Sequence, residues 1–266
     1  MAPMNDEFQK HLTLALKASL LAGEAIRKVQ GKDPRVEFKD DRTPLTQADK
    51  DAHRALASAL TDLPLLSEEG VQRGFTERRG WGDFWLVDPL DGTKEFLQGN
   101  GEFTVNVALI RKGQPVLGVV FAPALGQLYF GAQGLGAFKT DRIPPAGEAD
   151  TLTATSRSIL ARAPRPGPLE ALVSRSHLSP AVKTYLDGLE QGASTVPLGS
   201  SLKFCRLAEG GADLYPRFGP TMEWDTAAGQ AVLEAAGGRI LDALSGTPLR
   251  YNKEDLHNPS FVAWGR

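Results

Sequence analysis

Apolar side chains return at helical spacing from residue 5 to residue 29, with Phe8, Leu12, Ala15, Leu16 and Ser19 on one face, Ile26 near the end and Gly31 as the stop. This predicts an opening helix. Val36 to Lys39 and Pro44 to Thr46 flank Asp40-Asp41-Arg42-Thr43, the pattern of a hairpin with a charged, mobile tip. Thr46 then starts a second helix. The series Thr46-x-x-Asp49 has the form of a capping box with Asp in place of Glu or Gln, so Asp49 is read equally as a cap and as a site residue.

Short apolar runs follow at Leu63 to Leu66, Phe84 to Val87, Val105 to Arg111, Val116 to Phe121 and Gln127 to Gly131, with turn chemistry at Lys112-Gly113-Gln114-Pro115. They predict an antiparallel sheet in the N-terminal half. Pro144-Pro145 and Gly147, among charges between Lys139 and Asp150, mark the candidate boundary between residues 1–148 and 149–266. Beyond it, strand-like Ala171 to Ser174 and Thr195 to Leu198 alternate with helix-like Ser179 to Leu189 and Ser201 to Glu209, a mixed α/β pattern. A last helix carries Ala228, Val232, Ala235 and Ala236 and stops at Gly237-Gly238.

The chemistry lies where these elements end. Pro89 forbids continuation of the Phe84–Val87 strand, which puts Asp88 and Asp91 at its exit, and Gly92 opens close backbone approach before a short helix at Thr93-Lys94-Glu95-Phe96. Glu68 and Glu69 follow the Leu63–Leu66 run in the same way. Asp225 begins the last helix. Each has a plainer reading: Asp91-Gly92 as a turn, Glu69 as a solvated charge and Asp225 as an N-cap. Read together, Glu68, Asp88, Asp91 and Asp225 supply the hard oxygens magnesium prefers. The lone Cys205 and the scattered His11, His53, His177 and His257 argue against zinc.

Charge narrows the partners. With 266 residues, net charge −2 and pI near 6.1, the chain lacks the basic excess of a nucleic-acid binder, so any anion site is local. One cysteine suits a reducing, cytoplasmic setting, and neither a leader nor a membrane-spanning segment is predicted.

The ordered series Thr46-Gln47-Ala48-Asp49, Glu68-Glu69, Asp88-Pro89-Leu90-Asp91-Gly92-Thr93 and Trp224-Asp225-Thr226-Ala227-Ala228 resembles the lithium-sensitive, magnesium-dependent phosphatase superfamily that includes inositol monophosphatases. Residues 85–97, 101–107, 173–177, 199–205 and 214–220 are similar to its CysQ-type 3′(2′),5′-bisphosphate nucleotidases. The resemblance implies an α/β (α+β) layered αβαβα sandwich and two magnesium ions, with a third, loosely held ion near Glu68. One ion would be held by Glu68, Asp88 and the Leu90 carbonyl, the other by Asp88, Asp91 and Asp225. Glu68 and Thr93 would orient the attacking water, with Asp49 supporting the Thr93 hydroxyl and the Gly92 and Thr93 amides on phosphate oxygens. Ser174, His177, Ser200, Ser201, Lys203 and Arg217 would hold the rest of adenosine 3′,5′-bisphosphate, the cations taking its second phosphate. Inositol phosphatases place a carboxylate shortly before the Trp-Asp pair, where this chain has Arg217-Phe218. The competing readings are an inositol or sugar phosphatase and a nucleotide-sensing protein without turnover. A monomer or homodimer is expected, with peripheral inner-membrane association left open.

Overall fold

The computed structural model describes residues 6–31, 36–38, 44–71, 73–163, 165–175 and 179–266. The charged tip at 40–43 and the site candidate His177 lie outside the described residues. Helix α1 (Asp6–Val29) keeps its predicted face, burying Phe8, Leu12, Ala15, Leu16, Ser19 and Ile26. The hairpin strands β1 (Glu37–Phe38) and β2 (Pro44–Leu45) pair antiparallel. Helix α2 (Gln47–Ala59) starts at Thr46, with Asp49 completing the capping box.

Next come β3 (Leu65–Ser67), α3 (Phe75–Arg78), β4 (Asp83–Asp91), α4 (Thr93–Gln98), β5 (Thr104–Arg111), β6 (Gln114–Ala122), β7 (Gln127–Ala132), β8 (Gly136–Thr140), α5 (Leu152–Thr155) and β9 (Arg157–Ile159). Strands β3 to β9 form one seven-stranded sheet in sequential order. It is antiparallel as expected except that β3 runs parallel to β4, because the connection through α3 returns the chain to the same end.

One expectation is corrected: β4 does not stop at Pro89 but continues to Asp91. Asp88 pairs with Asn106 and Asp91 with Thr104, so three steps on β4 face two on β5. Pro89 falls in that bulge, where its missing N–H breaks no ladder bond. The bulge re-aims the strand end that carries both aspartates.

The remaining elements are β10 (Leu169–Ser174), α6 (Pro180–Asp187), β11 (Ala193–Leu198), α7 (Leu202–Ala208), β12 (Leu214–Arg217), α8 (Glu223–Ala235), β13 (Arg239–Asp242) and β14 (Phe261–Trp264). Their five strands order β11-β10-β12-β14-β13. The layers follow from burial. Trp85, Val87, Val107 and Phe121 face α1 and α2, while Phe84, Leu86, Ala108 and Ile110 pack with Phe204, Ala227 and Val232 of α7 and α8. Leu172, Tyr215 and Phe261 close those helices from the second sheet, and Val182 and Leu186 of α6 cover its outer face. This is the αβαβα sandwich. With helices on both faces, the Phe84–Val87 part of β4 reads as an unbroken apolar run. Among the described residues, no helix is long and apolar enough to cross a membrane.

Helix α8 approaches the large sheet through glycines. A Cβ on Gly118 would lie 2.2 Å from the Ala228 carbonyl oxygen, and one on Gly131 would lie 2.9 Å from the Ala235 Cβ. Because a backbone atom cannot rotate away, Gly118→Ala is expected to cost about 3 kcal/mol or more. Urea unfolding should show a lowered midpoint; an unchanged midpoint would mean that α8 does not need this contact.

Candidate active site

Parallel pairing in the second sheet brings the C-terminal ends of β10, β11 and β12 to one edge, with Ser174 opposite Leu198. The N-terminal turns of α7 and α8 open at the same place. Here a cavity of about 400 Å³ is lined by Asp91, Gly92, Asp225 and the Ser201 that bonds both aspartates, together with Ser174, Ser200, Lys203 and Arg217. The structure thus gathers eight predicted positions from both halves around one space.

Of the other predicted residues, Asp88 stands within electrostatic reach of Glu68, Asp91 and Asp225. Asp88 is 1% exposed, and burial, then the charges of Glu68, Asp91 and Asp225, push its carboxyl well above the ordinary range. A shared hydrogen bond with Glu68 adds to this. Burial, followed by Asp91, raises Asp225 likewise. Leu90 N–H donates to Asp88 Oδ1 at 3.0 Å. Among the described residues no three acids, imidazoles or thiols already stand in metal-holding geometry. What the four acids do is crowd like charges together around buried Asp88, and hard oxygens under that pressure fit divalent magnesium.

Asp49 completes the α2 capping box and also reaches Thr93. Its Oδ2 accepts the Thr46 N–H and hydroxyl at 2.7 and 2.6 Å, and its Oδ1 accepts the Thr93 hydroxyl at 3.3 Å. Burial raises its carboxyl against those Thr46 bonds. Thr93 opens α4 behind Gly92, whose φ of 94° and close neighbours, the Glu102 carbonyl and the Glu95 carboxylate, both 3.2 Å from a would-be Cβ, exclude a side chain. Asp225 is not the N-cap of α8: Met222 holds that position, and Asp225 Oδ2 accepts the Met222 N–H at 2.8 Å from the third helical position.

Lys203 is not the solvated lysine its helix-start position suggests. It is 5% exposed, its Nζ donates to the Leu198 and Ser200 carbonyls at 3.1 and 2.7 Å, and it stands 5.1 Å from the Tyr215 ring centroid. Burial, aided by Arg217, pushes its ammonium down to about 8, so at neutral pH it is still mostly charged. Arg217 Nη2 reaches the Pro220 carbonyl at 3.0 Å, and its buried Nε has no partner.

Sequence reading missed the frame around these groups. Glu102 takes Arg175 at 2.7 and 2.5 Å and the Gly199 N–H at 2.8 Å. Burial works against its charge, but the bonds from Arg175 and Gly199 hold its carboxyl below the usual range. Ser201 N–H and Oγ–H both point to Asp91 Oδ2, at 2.6 and 2.7 Å, and Asn106 bonds the same hydroxyl. Such partners lie about a hundred residues apart, so no local pattern could reveal them.

The family model described as "Inositol monophosphatase family" matches residues 7–264. The 3′(2′),5′-bisphosphate nucleotidase CysQ of Escherichia coli K12 is 47% identical over 247 residues, 90% of this chain and 94% of the relative. CysQ of Haemophilus influenzae is 35% identical over 259 residues, 96% and 92% of the two chains. The crystal structure of CysQ from Bacteroides thetaiotaomicron, described as a bacterial member of the inositol monophosphatase family, superposes with a TM-score of 0.87 at 44% identity, covering 98% and 99%. An inositol monophosphatase from Zymomonas mobilis shares the fold, with a TM-score of 0.75 at 23% identity, covering 98% and 94%.

Proposed function

The chain belongs to the inositol monophosphatase family, and from that premise we propose that it is a 3′(2′),5′-bisphosphate nucleotidase, hydrolysing adenosine 3′,5′-bisphosphate to AMP and phosphate. The analogue that carries a sulfuryl group on its 5′-phosphate presents the same 3′-phosphate and is proposed as a second substrate, which would give the enzyme a role in sulfur assimilation. The observation that supports this reading is the two-ended cavity, with the carboxylates of Asp91 and Asp225 as one end and buried Lys203 with half-buried Arg217 as the other. A substrate with one phosphate to lose and another to be held matches both ends.

Residues 1–148 then provide most of the hydrolytic site and residues 149–266 the specificity groups and Asp225. Two magnesium ions, with Glu68, Asp88, the Leu90 carbonyl, Asp91 and Asp225 as their ligands, would supply charge neutralisation at the phosphoryl group and activation of water. Thr93, its hydroxyl proton committed to Asp49, offers a lone pair to the attacking water, and Glu68 faces that water as acceptor. The Gly92 and Thr93 amides bind phosphoryl oxygens. Water adds to phosphorus as its proton passes to the Glu68 carboxylate, the bond to the ribose 3′ oxygen breaks with a proton delivered to that oxygen from water near Asp225, and no phosphoenzyme forms. Ser174 and Ser200 hydroxyls face the nucleoside.

Lys203 gives the reading a pH signature. Its charged form binds phosphate and is lost as pH rises through about 8 in the free enzyme. The ratio of kcat/KM for adenosine 3′,5′-bisphosphate over adenosine 3′-monophosphate should therefore fall above pH 8, with the hydrolytic site cancelling from the ratio. A ratio constant to pH 9.5 would remove Lys203 from recognition of the second phosphate.

A further inference from the structure

Asn106, Ala108 and Ile110 share one face of β5, and the two apolar residues pack into the cluster that includes α7 and α8. Asn106 is the polar exception, 1% exposed and paired in register with Asp88. Its Nδ2 donates to Ser201 Oγ at 2.8 Å and approaches Asp91 Oδ2 at 3.4 Å, while its buried Oδ1 has no partner. A burial that leaves one amide oxygen unmatched is retained for what the other end of the amide does.

What it does is set a hydroxyl. Ser201 Oγ has a single proton and two acceptors in reach, Asp91 Oδ2 at 2.7 Å and the Asp225 carbonyl at 2.9 Å. With Asn106 donating into the oxygen, the proton goes to the stronger acceptor, the carboxylate. The Ser201 N–H fixes the same Oδ2 at 2.6 Å. One oxygen of Asp91 is thereby tied down by up to three donors, and the other is left for the cavity. We infer that Asn106 and Ser201 are positioning residues for Asp91, acting as one unit through the Ser201 hydroxyl, and that Ser201 serves this purpose in preference to contacting nucleotide.

The arrangement also joins the two ends of the cavity. Ser200, beside Ser201, adopts φ of 45°, a left-handed conformation unusual for serine. In this short loop the Leu198 and Ser200 carbonyls grip Lys203 Nζ while the Gly199 and Ser201 amides grip Glu102 and Asp91. The same four residues therefore set both the carboxylate and the phosphate-binding cation.

The inference rests on the proposed magnesium site and is tested apart from turnover, by calorimetric titration of Mg2+ into the protein and its variants. Asn106→Ala and Ser201→Ala should each weaken Mg2+ about 10- to 100-fold. In the Ser201→Ala background, Asn106→Ala should add little, and Ser201→Thr, which keeps the hydroxyl, should restore most of the affinity. Thermal unfolding without metal identifies variants that fail to fold, for which Asn106→Ser provides the milder substitution. Asp91→Asn separates the two readings. If it leaves Mg2+ affinity unchanged, the metal site itself is misplaced. If it abolishes binding while the Asn106 and Ser201 variants bind normally, or their effects simply add, the positioning unit does not exist.

Discussion

Asp88→Asn is expected to lower kcat/KM on adenosine 3′,5′-bisphosphate by on the order of 10²-fold or more while making the metal-free protein more stable. Both outcomes follow from one observation. Asp88 is buried beside Glu68, Asp91 and Asp225, and its carboxyl is raised first by desolvation and then by those charges. A folded-state pKa above the unfolded value means that the native fold disfavours the charged form, so ionised Asp88 costs stability at neutral pH. An amide of the same shape removes that cost. It also removes the anion proposed to bridge two cations, where a neutral oxygen is a poor replacement. Kinetics and urea unfolding in chelator measure the two effects separately. Near-normal turnover would end the proposal that Asp88 bridges metals. A less stable variant would show that Asp88 acts as a structural hydrogen-bonding group.

Lys203→Met and Arg217→Ala should each reduce kcat/KM for the bisphosphate by about 10- to 100-fold, the effect of losing a charged hydrogen bond worth roughly 1.5–3 kcal/mol. The loss should appear mainly in KM, because the held phosphate is bound alike in ground and transition states. Adenosine 3′-monophosphate, which lacks that phosphate, should lose much less. Methionine is chosen at position 203 because the lysine stem is packed near Tyr215 and its removal would open a cavity. Equal losses on both substrates would mean that these cations support the Leu198–Ser201 loop or the general field of the site, and the nucleotide assignment would lose its main physical argument.

The sequence makes the two kinds of site residue legible to different degrees. Glu68, Asp88, Asp91 and Asp225 each follow an apolar run or begin a helix, so local pattern alone brings out their shared character. The strand end at Pro89 was misread because a proline excludes only a regular ladder, and the compensating bulge depends on pairing with β5. Strands β8, β9, β12, β13 and β14 were missed because Gly136–Thr140, Arg157–Ile159, Leu214–Arg217 and the C-terminal strands are short and lack clear alternation. Lys203 showed its charge but not its burial, which comes from Tyr215 and from carbonyls fixed by the loop before it. Asn106 lies in the 101–107 stretch that carries the resemblance, but nothing local there shows what it bonds. Its meaning arises only when β5 brings it beside Ser201, which lies 95 positions away.

The most direct test of the account is phosphate release by the purified protein from adenosine 3′,5′-bisphosphate and from inositol 1-phosphate, each with Mg2+ and with chelator. The two-ended cavity predicts rapid release of one phosphate from the nucleotide, AMP as the other product, little turnover of the inositol ester and none in chelator. Faster hydrolysis of inositol 1-phosphate, or undiminished activity in chelator, would contradict it.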